Sequence, residues 1–413
     1  MKGLPRFYWV TSTLTLMLVG LLLGAPADSE GASVKIGYLD SFTGGLSVYG
    51  IPAREAFMIA VDEWNAKGGI DGRKIEVASR DEQGRADTAV RAARELFLDE
   101  KVSFVVGITS SSSGIAMADL TRQLRRLVIL TGAFSSRIID EFGHRYIAKA
   151  SMNSVKESYT LAQYLRKQPF KKYYLIGQDY EYGRVALSAA MDILKKERPE
   201  IKVVGETYAP FGTADYTPFI TAALALKPDV VITSLVGPDV NTFLTQARPF
   251  GLLDKARLVG FVLAEVHATV AMGEKYPPGI STTSNFPFYA INTPESRGFV
   301  KKFRTKTGNW PNNNAVFGYN AANLLFTAID KANSTDTEKV IDALQGLTIT
   351  GPTGRVTMRA CDQQAMNPDW VGTTDRIDPK LGFMVIKDVI KVDGPQGWRS
   401  CREIAKLRAR AKR

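Results

Sequence analysis

From residue 34 to about residue 260, short β-rich runs alternate with stretches of helical periodicity, and few architectures tolerate that pattern. "VKIGYLD" (Val34 to Asp40) precedes a helical stretch from Pro52 to Asn65. "IEVASRD" (Ile75 to Asp81) precedes one from Ala86 to Phe97, and "VSFVVG" ends at Gly107 before a helix from about Gly114. "LVILTGAF" closes the first series at Phe134. A second series repeats the scheme with "KKYYLIGQD", "IKVVGETYAP", "DVVITSL" and "ARLVGF", with helical stretches between them at Tyr182–Lys196, near Pro218–Leu226 and at Asp239–Ala247. Strands alternating with helices of 10 to 15 residues make βαβ units and parallel sheets. Two such runs predict an α/β protein of two similar lobes, in line with the two domains expected for 413 residues. A long helical stretch, Ala315–Ala332, is too apolar for a connector and is expected to pack back on a sheet.

Both chain ends depart from this body. Lys2 and Arg6 precede an uncharged, mostly apolar run from Thr11 to Leu23, and Ala25-Pro26-Ala27 supplies small residues at a cleavage pattern. The run is shorter than the ~20 residues that span a bilayer. Residues 1–27 are therefore expected to be a cleaved export signal that places the protein in the periplasm. Residues Cys401–Arg413 carry six basic residues against Glu403 and read as a solvated basic tail, 402–413. Removing the leader's +2 and this segment's +5 from the formal +11 leaves +4 on the folded body. No basic stripe with interleaved aromatics appears elsewhere, so no nucleic-acid partner is expected. In an exported chain the two cysteines, Cys361 and Cys401, read as a disulfide. Together with His144 and His267 they show none of the short spacings of a zinc site, and no metal or cofactor is expected.

The segment "VGITSSSSGIAMADL" (Val106 to Leu120) holds four consecutive serines, Ser110 to Ser113, where a strand gives way to a helix. In open α/β sheets ligands bind beyond the carboxyl ends of the strands. The first N–H groups of a helix are unpaired and carry the positive end of its dipole. With serine hydroxyls added, they form a neutral cradle for a carboxylate. Ordinary N-capping needs only one of the four and suffices for this segment taken alone. The neighbouring "LTGAFSS" shifts the balance, because Thr131, Ser135 and Ser136 fall at the corresponding strand end.

The ordered set of segments "VKIGYLDSFTGGLSVYG", "NAKGGIDGRKIEVASRDEQG", "VVGITSSSSGIAMAD", "LTGAFSS", "GQDYEYGR" and "QARPFGL" resembles the periplasmic solute-binding proteins of ABC transporters, of the leucine/isoleucine/valine-binding type. The resemblance implies a type I periplasmic binding fold, two Rossmann-like lobes with parallel sheets joined by a hinge crossed three times. It implies a monomer that captures a small carboxylate-bearing ligand, a branched-chain or related amino acid, between the lobes and delivers it to an inner-membrane permease. By that resemblance Ser111 and Ser135 hold the carboxylate with the backbone of Ala133 beside them, and Tyr49 and Tyr182 form the walls. The acidic residue that pairs with an amine aligns ungapped on Val262; Glu265 takes that role through a small insertion. Val236, where relatives commonly have an aromatic, and Phe134, where a small residue is usual, are two further departures. An amide, urea or aromatic carboxylate ligand, or an exported sensor of the same fold, are the alternatives.

An enzyme is not expected. A Ser/His/Asp arrangement would have to use His144 or His267, and "SSSSG" lacks the glycine two before a serine that a nucleophile elbow needs. No G-x-G-x-x-G or G-K-[ST] loop is present. The three crossings are expected near Ser151, Ser284 and Val356. Lobe one then comprises 28–150 plus 285–356, and lobe two 151–284 plus 357–401, with the disulfide stapling lobe two.

Overall fold

A computed structural model describes residues 1–4 and 33–411; the export-signal reading falls, beyond its first four residues, outside them. The first series builds β1 (Val34–Asp40), α1 (Ser47–Ala66), β2 (Ile75–Asp81), α2 (Ala86–Arg94), β3 (Phe104–Gly107), α3 (Ser111–Leu124), β4 (Val128–Leu130), α4 (Arg137–Asp140) and β5 (Ile147–Lys149). These strands form one parallel sheet in the order β2-β1-β3-β4-β5. The second series builds α5 (Ser154–Leu165), β6 (Lys172–Gln178), α6 (Glu181–Glu197), β7 (Lys202–Ala209), α7 (Thr217–Ala225), β8 (Val230–Thr233), α8 (Pro238–Ala247), α9 (Leu252–Lys255), β9 (Arg257–Gly260), α10 (Val266–Met272) and β10 (Ser281–Ser284). Its parallel order, β7-β6-β8-β9-β10, is the same as in lobe one. The central strands of both sheets are buried along their whole length and mostly apolar, because helices cover both faces.

The chain then returns to lobe one with α11 (Pro294–Thr307) and α12 (Asn313–Ala332). α12 lies so close along α1 that a Cβ on Gly318 would stand 2.1 Å from the Ala53 carbonyl oxygen. This close approach carries Leu325, Phe326 and Ile329 into the lobe-one core beside Phe57 and Val61. α13 (Thr337–Leu344), β11 (Thr348–Gly351), β12 (Gly354–Met358) and β13 (Ala365–Met366) follow, the last three forming a small antiparallel sheet. β14 (Asp369–Ile377) and β15 (Met384–Val392) add two antiparallel strands to the edge of the lobe-two sheet.

The third crossing lies later than expected. Val356, Met358 and Ala365 pack into the lobe-one core, and the Lys149 N–H donates to the Gln363 carbonyl (2.9 Å), so the chain leaves lobe one between Met366 and Asp369 rather than near Val356. After β15 it crosses a fourth time, back to lobe one, and ends in α14 (Cys401–Ala411), which packs on α4. The Cys361 and Cys401 sulfurs are 2.08 Å apart, and both residues sit on the lobe-one side rather than in lobe two. Residues 402–411 are likewise helical and docked rather than a solvated tail. Arg408 donates to the Ile139 carbonyl (2.9 and 3.0 Å), Arg399 pairs with Asp140, and Ile404 is 2 % exposed. The basic residues thus satisfy the carbonyl end and acid of α4, a contact that charge counting along the sequence cannot reveal. No helix among the described residues is long and apolar enough to cross a membrane.

Candidate functional site

The carboxyl ends of both sheets face each other across the interlobe cleft. The turns after β1, β3 and β4 contribute Leu46, Tyr49, Thr109, Gly132 and Phe134, and α12 contributes Asn313 and Asn314 from its first turn. The turns after β6, β8 and β9 contribute Tyr180, Tyr182, Val236 and Val262 from lobe two. Together they line a cavity of about 30 Å³, room for about two water molecules at ~10–15 Å³ each. Its lining is aromatic and aliphatic with uncharged polar groups and no ionisable acid or base other than the tyrosines. One β-branched residue on each lobe, Ile108 (φ 70°) and Val262 (φ 45°), is held in left-handed backbone at these turns, a strain that clusters at functional sites.

The lobes are held together by direct hydrogen bonds around this cavity. The Gly237 N–H donates to the Tyr49 hydroxyl (2.9 Å), and the Asn313 N–H donates to a Glu265 carboxylate oxygen (3.2 Å). The Ser135 hydroxyl donates to Glu181 (2.8 Å), which Arg137 also grips at 3.1 Å. The Tyr49 ring additionally meets His267 edge-on with centroids 4.9 Å apart. Each of these pairs takes one member from each lobe.

Of the residues singled out from sequence, Tyr49 and Tyr182 line the cavity, whereas Ser111, Ala133, Ser135 and Glu265 stand just behind its surface. The structure brings Ser111 and Ser135 together: the Ser135 N–H donates to the Ser111 hydroxyl (3.1 Å). Two hydroxyls of the serine run, those of Ser110 and Ser111, are taken by internal partners. Ser110 caps α3 by accepting from the Ser113 N–H, and the Ser110 N–H donates to Glu82 (3.1 Å), whose same oxygen takes the Ser41 hydroxyl (2.9 Å). The Ser110 N–H, at the N-cap just ahead of α3, is therefore already taken by the protein's own carboxylate. Burial, and then the neighbouring Asp40, push the Glu82 carboxyl up to about 8, and burial pushes Asp40 up to about 6. Behind Ser135 the fully buried Lys149 ammonium donates to the Ser135 carbonyl (3.0 Å), and burial lowers it to about 7.

On the lobe-two side the Tyr182 hydroxyl donates to Glu157 (3.0 Å), which also receives Asn285 (3.3 Å). Burial pushes Glu157 well above the usual carboxylate range and Glu265 up to about 8. Both acids approach the cavity without lining it. The polar groups that do line it, Thr109, Gly132, Asn313 and Asn314, are missing from the sequence-based set. Gly132 is required there, since a Cβ would stand 2.4 Å from the Asn314 amide and 2.8 Å from the Thr109 hydroxyl. The signal that could have found the asparagines is "PNNNA" at the start of the long helix: Asn312 caps α12 by accepting from the Ala315 N–H (3.0 Å), and the next two residues are thereby turned to the cleft.

Two doubly wound lobes, joined by several crossings and closed on a cavity at their strand ends, define a type I periplasmic binding fold. The chain belongs to the periplasmic binding protein family, whose profile matches residues 33–377. A Leu/Ile/Val-binding protein homolog 7 from Brucella suis is 26 % identical over 352 residues, covering 81 % of this chain and 86 % of that protein. A periplasmic binding protein from Burkholderia mallei superposes with a TM-score of 0.82 at 22 % identity, over 90 % of this chain and 97 % of that one. A solute-binding protein of an ABC transporter from Rhodopseudomonas palustris BisB5, in complex with 3,4-dihydroxy benzoic acid, gives a TM-score of 0.80 at 22 % identity, over 88 % and 98 %.

Proposed function

We propose that this chain is the extracytoplasmic solute-binding component of an ABC transporter, exported by residues 1–27 and working as a monomer in the periplasm. Its cargo is a small carboxylate-bearing molecule, with branched-chain and related amino acids the leading class. The observation that carries this reading is the cavity at the strand ends of both lobes, walled by Tyr49 and Tyr182 and supplied with uncharged donors. A carboxylate needs such donors, and charge-assisted hydrogen bonds contribute about 1.5–3 kcal/mol each. When the lobes part, Ser135 separates from Glu181, so its hydroxyl becomes free beside Ser111, Ala133 and Thr109 to receive a ligand carboxylate. Glu265 and Glu157 stand behind the opposite wall, where burial favours their protonated forms; an ammonium group brought beside them would favour the carboxylates. Closure excludes water, strengthening each contact, and presents a surface made of both lobes to a permease.

An aromatic carboxylate is the second reading, favoured by the aromatic lining and by the 3,4-dihydroxybenzoate bound to the Rhodopseudomonas relative. Isothermal titration of the mature protein with leucine, isoleucine, valine, isovalerate, benzoate and 4-hydroxybenzoate tests both. Binding of leucine but not isovalerate supports the amino-acid class; binding of a benzoate and of no amino acid replaces it with the second. Failure of every acid to bind discards the carboxylate reading.

A further inference from the structure

We propose that Glu181 is an internal competitor for the Ser135 hydroxyl, setting how tightly the cleft holds an acid. The inference rests on the reading of Ser135 as a carboxylate-binding residue. Ser135 lies in the turn between β4 and α4 of lobe one, and Glu181 opens α6 of lobe two. Most of what Ser135 can offer is already engaged. Its N–H donates to the Ser111 hydroxyl (3.1 Å), and its carbonyl accepts from the buried Lys149 ammonium (3.0 Å). Its hydroxyl oxygen accepts from the Arg137 N–H (3.3 Å). What remains for an anion is the hydroxyl proton, and Glu181 receives it at 2.8 Å. A serine hydroxyl has one proton to donate, so Glu181 and a ligand carboxylate cannot both receive it. An arriving carboxylate would also stand beside that of Glu181, and like charges a few Å apart oppose each other.

Glu181 is held where it competes. The Arg137 guanidinium grips both of its carboxylate oxygens (3.1 and 3.4 Å). That guanidinium is fixed in turn by Glu141 (2.9 Å) and by the Phe142 ring, whose centre lies 5.3 Å away. The first turn of α6 carries the positive end of the helix dipole and favours an acid at this position. The Glu181 side chain is 16 % exposed, so water screens the contact only in part. Glu181 thus ties lobe two to lobe one through the same hydroxyl that a ligand would use. Only molecules in which this tie has parted present the Ser135 proton, and the apparent dissociation constant rises as their fraction falls.

The test is titration of the parent, Glu181→Ala, Ser135→Ala and the double variant with leucine, isovalerate, benzoate and 4-hydroxybenzoate. Removing Glu181 should tighten binding of the acid that binds by ~5–150-fold, the usual range for one site acting on another. The tightening should vanish in the Ser135→Ala background. That dependence separates competition for the hydroxyl from a contact that only closes the cleft, because losing a closure contact weakens binding instead. Glu181→Gln, which keeps the shape and removes the charge, should act in the same direction by less, and it provides the comparison if the alanine variant does not fold. Acid binding seen only once Glu181 is removed also supports the role. Unchanged or weaker binding in the Glu181 variants, or a gain that persists without the Ser135 hydroxyl, overturns the role of Glu181 and leaves the carboxylate reading standing. Silence of the parent and of every variant toward every acid overturns the carboxylate reading and this inference with it.

Discussion

Replacing Cys361 and Cys401 together by serine, or reducing the parent, should release the C-terminal return to lobe one. The two positions are 40 residues apart, and on the chain-entropy account closing a loop of that size stabilises by about 4 kcal/mol. Unfolding roughly 380 ordered residues as one unit changes entropy by ~2.1 cal/mol/K per residue, or ~0.8 kcal/mol/K. The melting temperature should then fall by about 5 °C. The contacts left to hold α14 are the Arg399–Asp140 pair, the Arg408 bonds to Ile139 and the buried Ile404. Arg402 and Lys406 on that helix should accordingly become cleavable by trypsin before the rest of the chain. Calorimetry with and without a phosphine reductant, on parent and double variant, reads the first effect; timed proteolysis with mass analysis reads the second. A parent whose melting temperature ignores the reductant, with two free thiols by mass, refutes the covalent tie between the β12–β13 turn and α14.

Tyr49→Phe leaves the Gly237 N–H without its acceptor in the closed cleft, a loss of about 1–3 kcal/mol. Ligand affinity should drop roughly 5- to 150-fold, with small-angle scattering showing a more open mean shape; parental affinity would refute a part in closure. Glu265, raised by burial from 4.5 to about 8, is held preferentially in its protonated form. Its contribution to stability is present below 4.5 and lost as pH rises through about 8. Glu265→Gln should therefore flatten the fall in melting temperature across that window, though not abolish it, since Glu82 titrates with the same sign; an unchanged slope would count against it. Gly318→Ala forces a methyl against the Ala53 carbonyl and should cost about 1–3 kcal/mol in denaturant unfolding; a neutral result would show that α1 and α12 can separate cheaply.

The strand runs were legible because parallel strands covered on both faces must be apolar throughout, so "SFVVG" and "DVVIT" declare themselves without any partner. The helix starts were legible for a similar reason, since serine and asparagine beside an apolar run satisfy orphan N–H groups locally. Local logic could not say what else those groups touch. The serine run reads as a site for a foreign carboxylate, yet Glu82, 28 residues upstream, already sits against Ser110. Glu265 reads as a partner for an amine, yet it accepts from Asn313, 48 residues downstream.

Periodicity and end groups, which depend on neighbours within a few residues, were sufficient to determine two α/β lobes and the polar strand ends that face the cleft. The placement of Phe134 between Tyr182 and Phe317, the return of α14 to lobe one and the recruitment of Asn313 and Asn314 were decided only by the tertiary structure. Each depends on segments tens to hundreds of residues apart meeting across a hinge, and the cost of burying polar groups there is settled by whichever distant partner arrives.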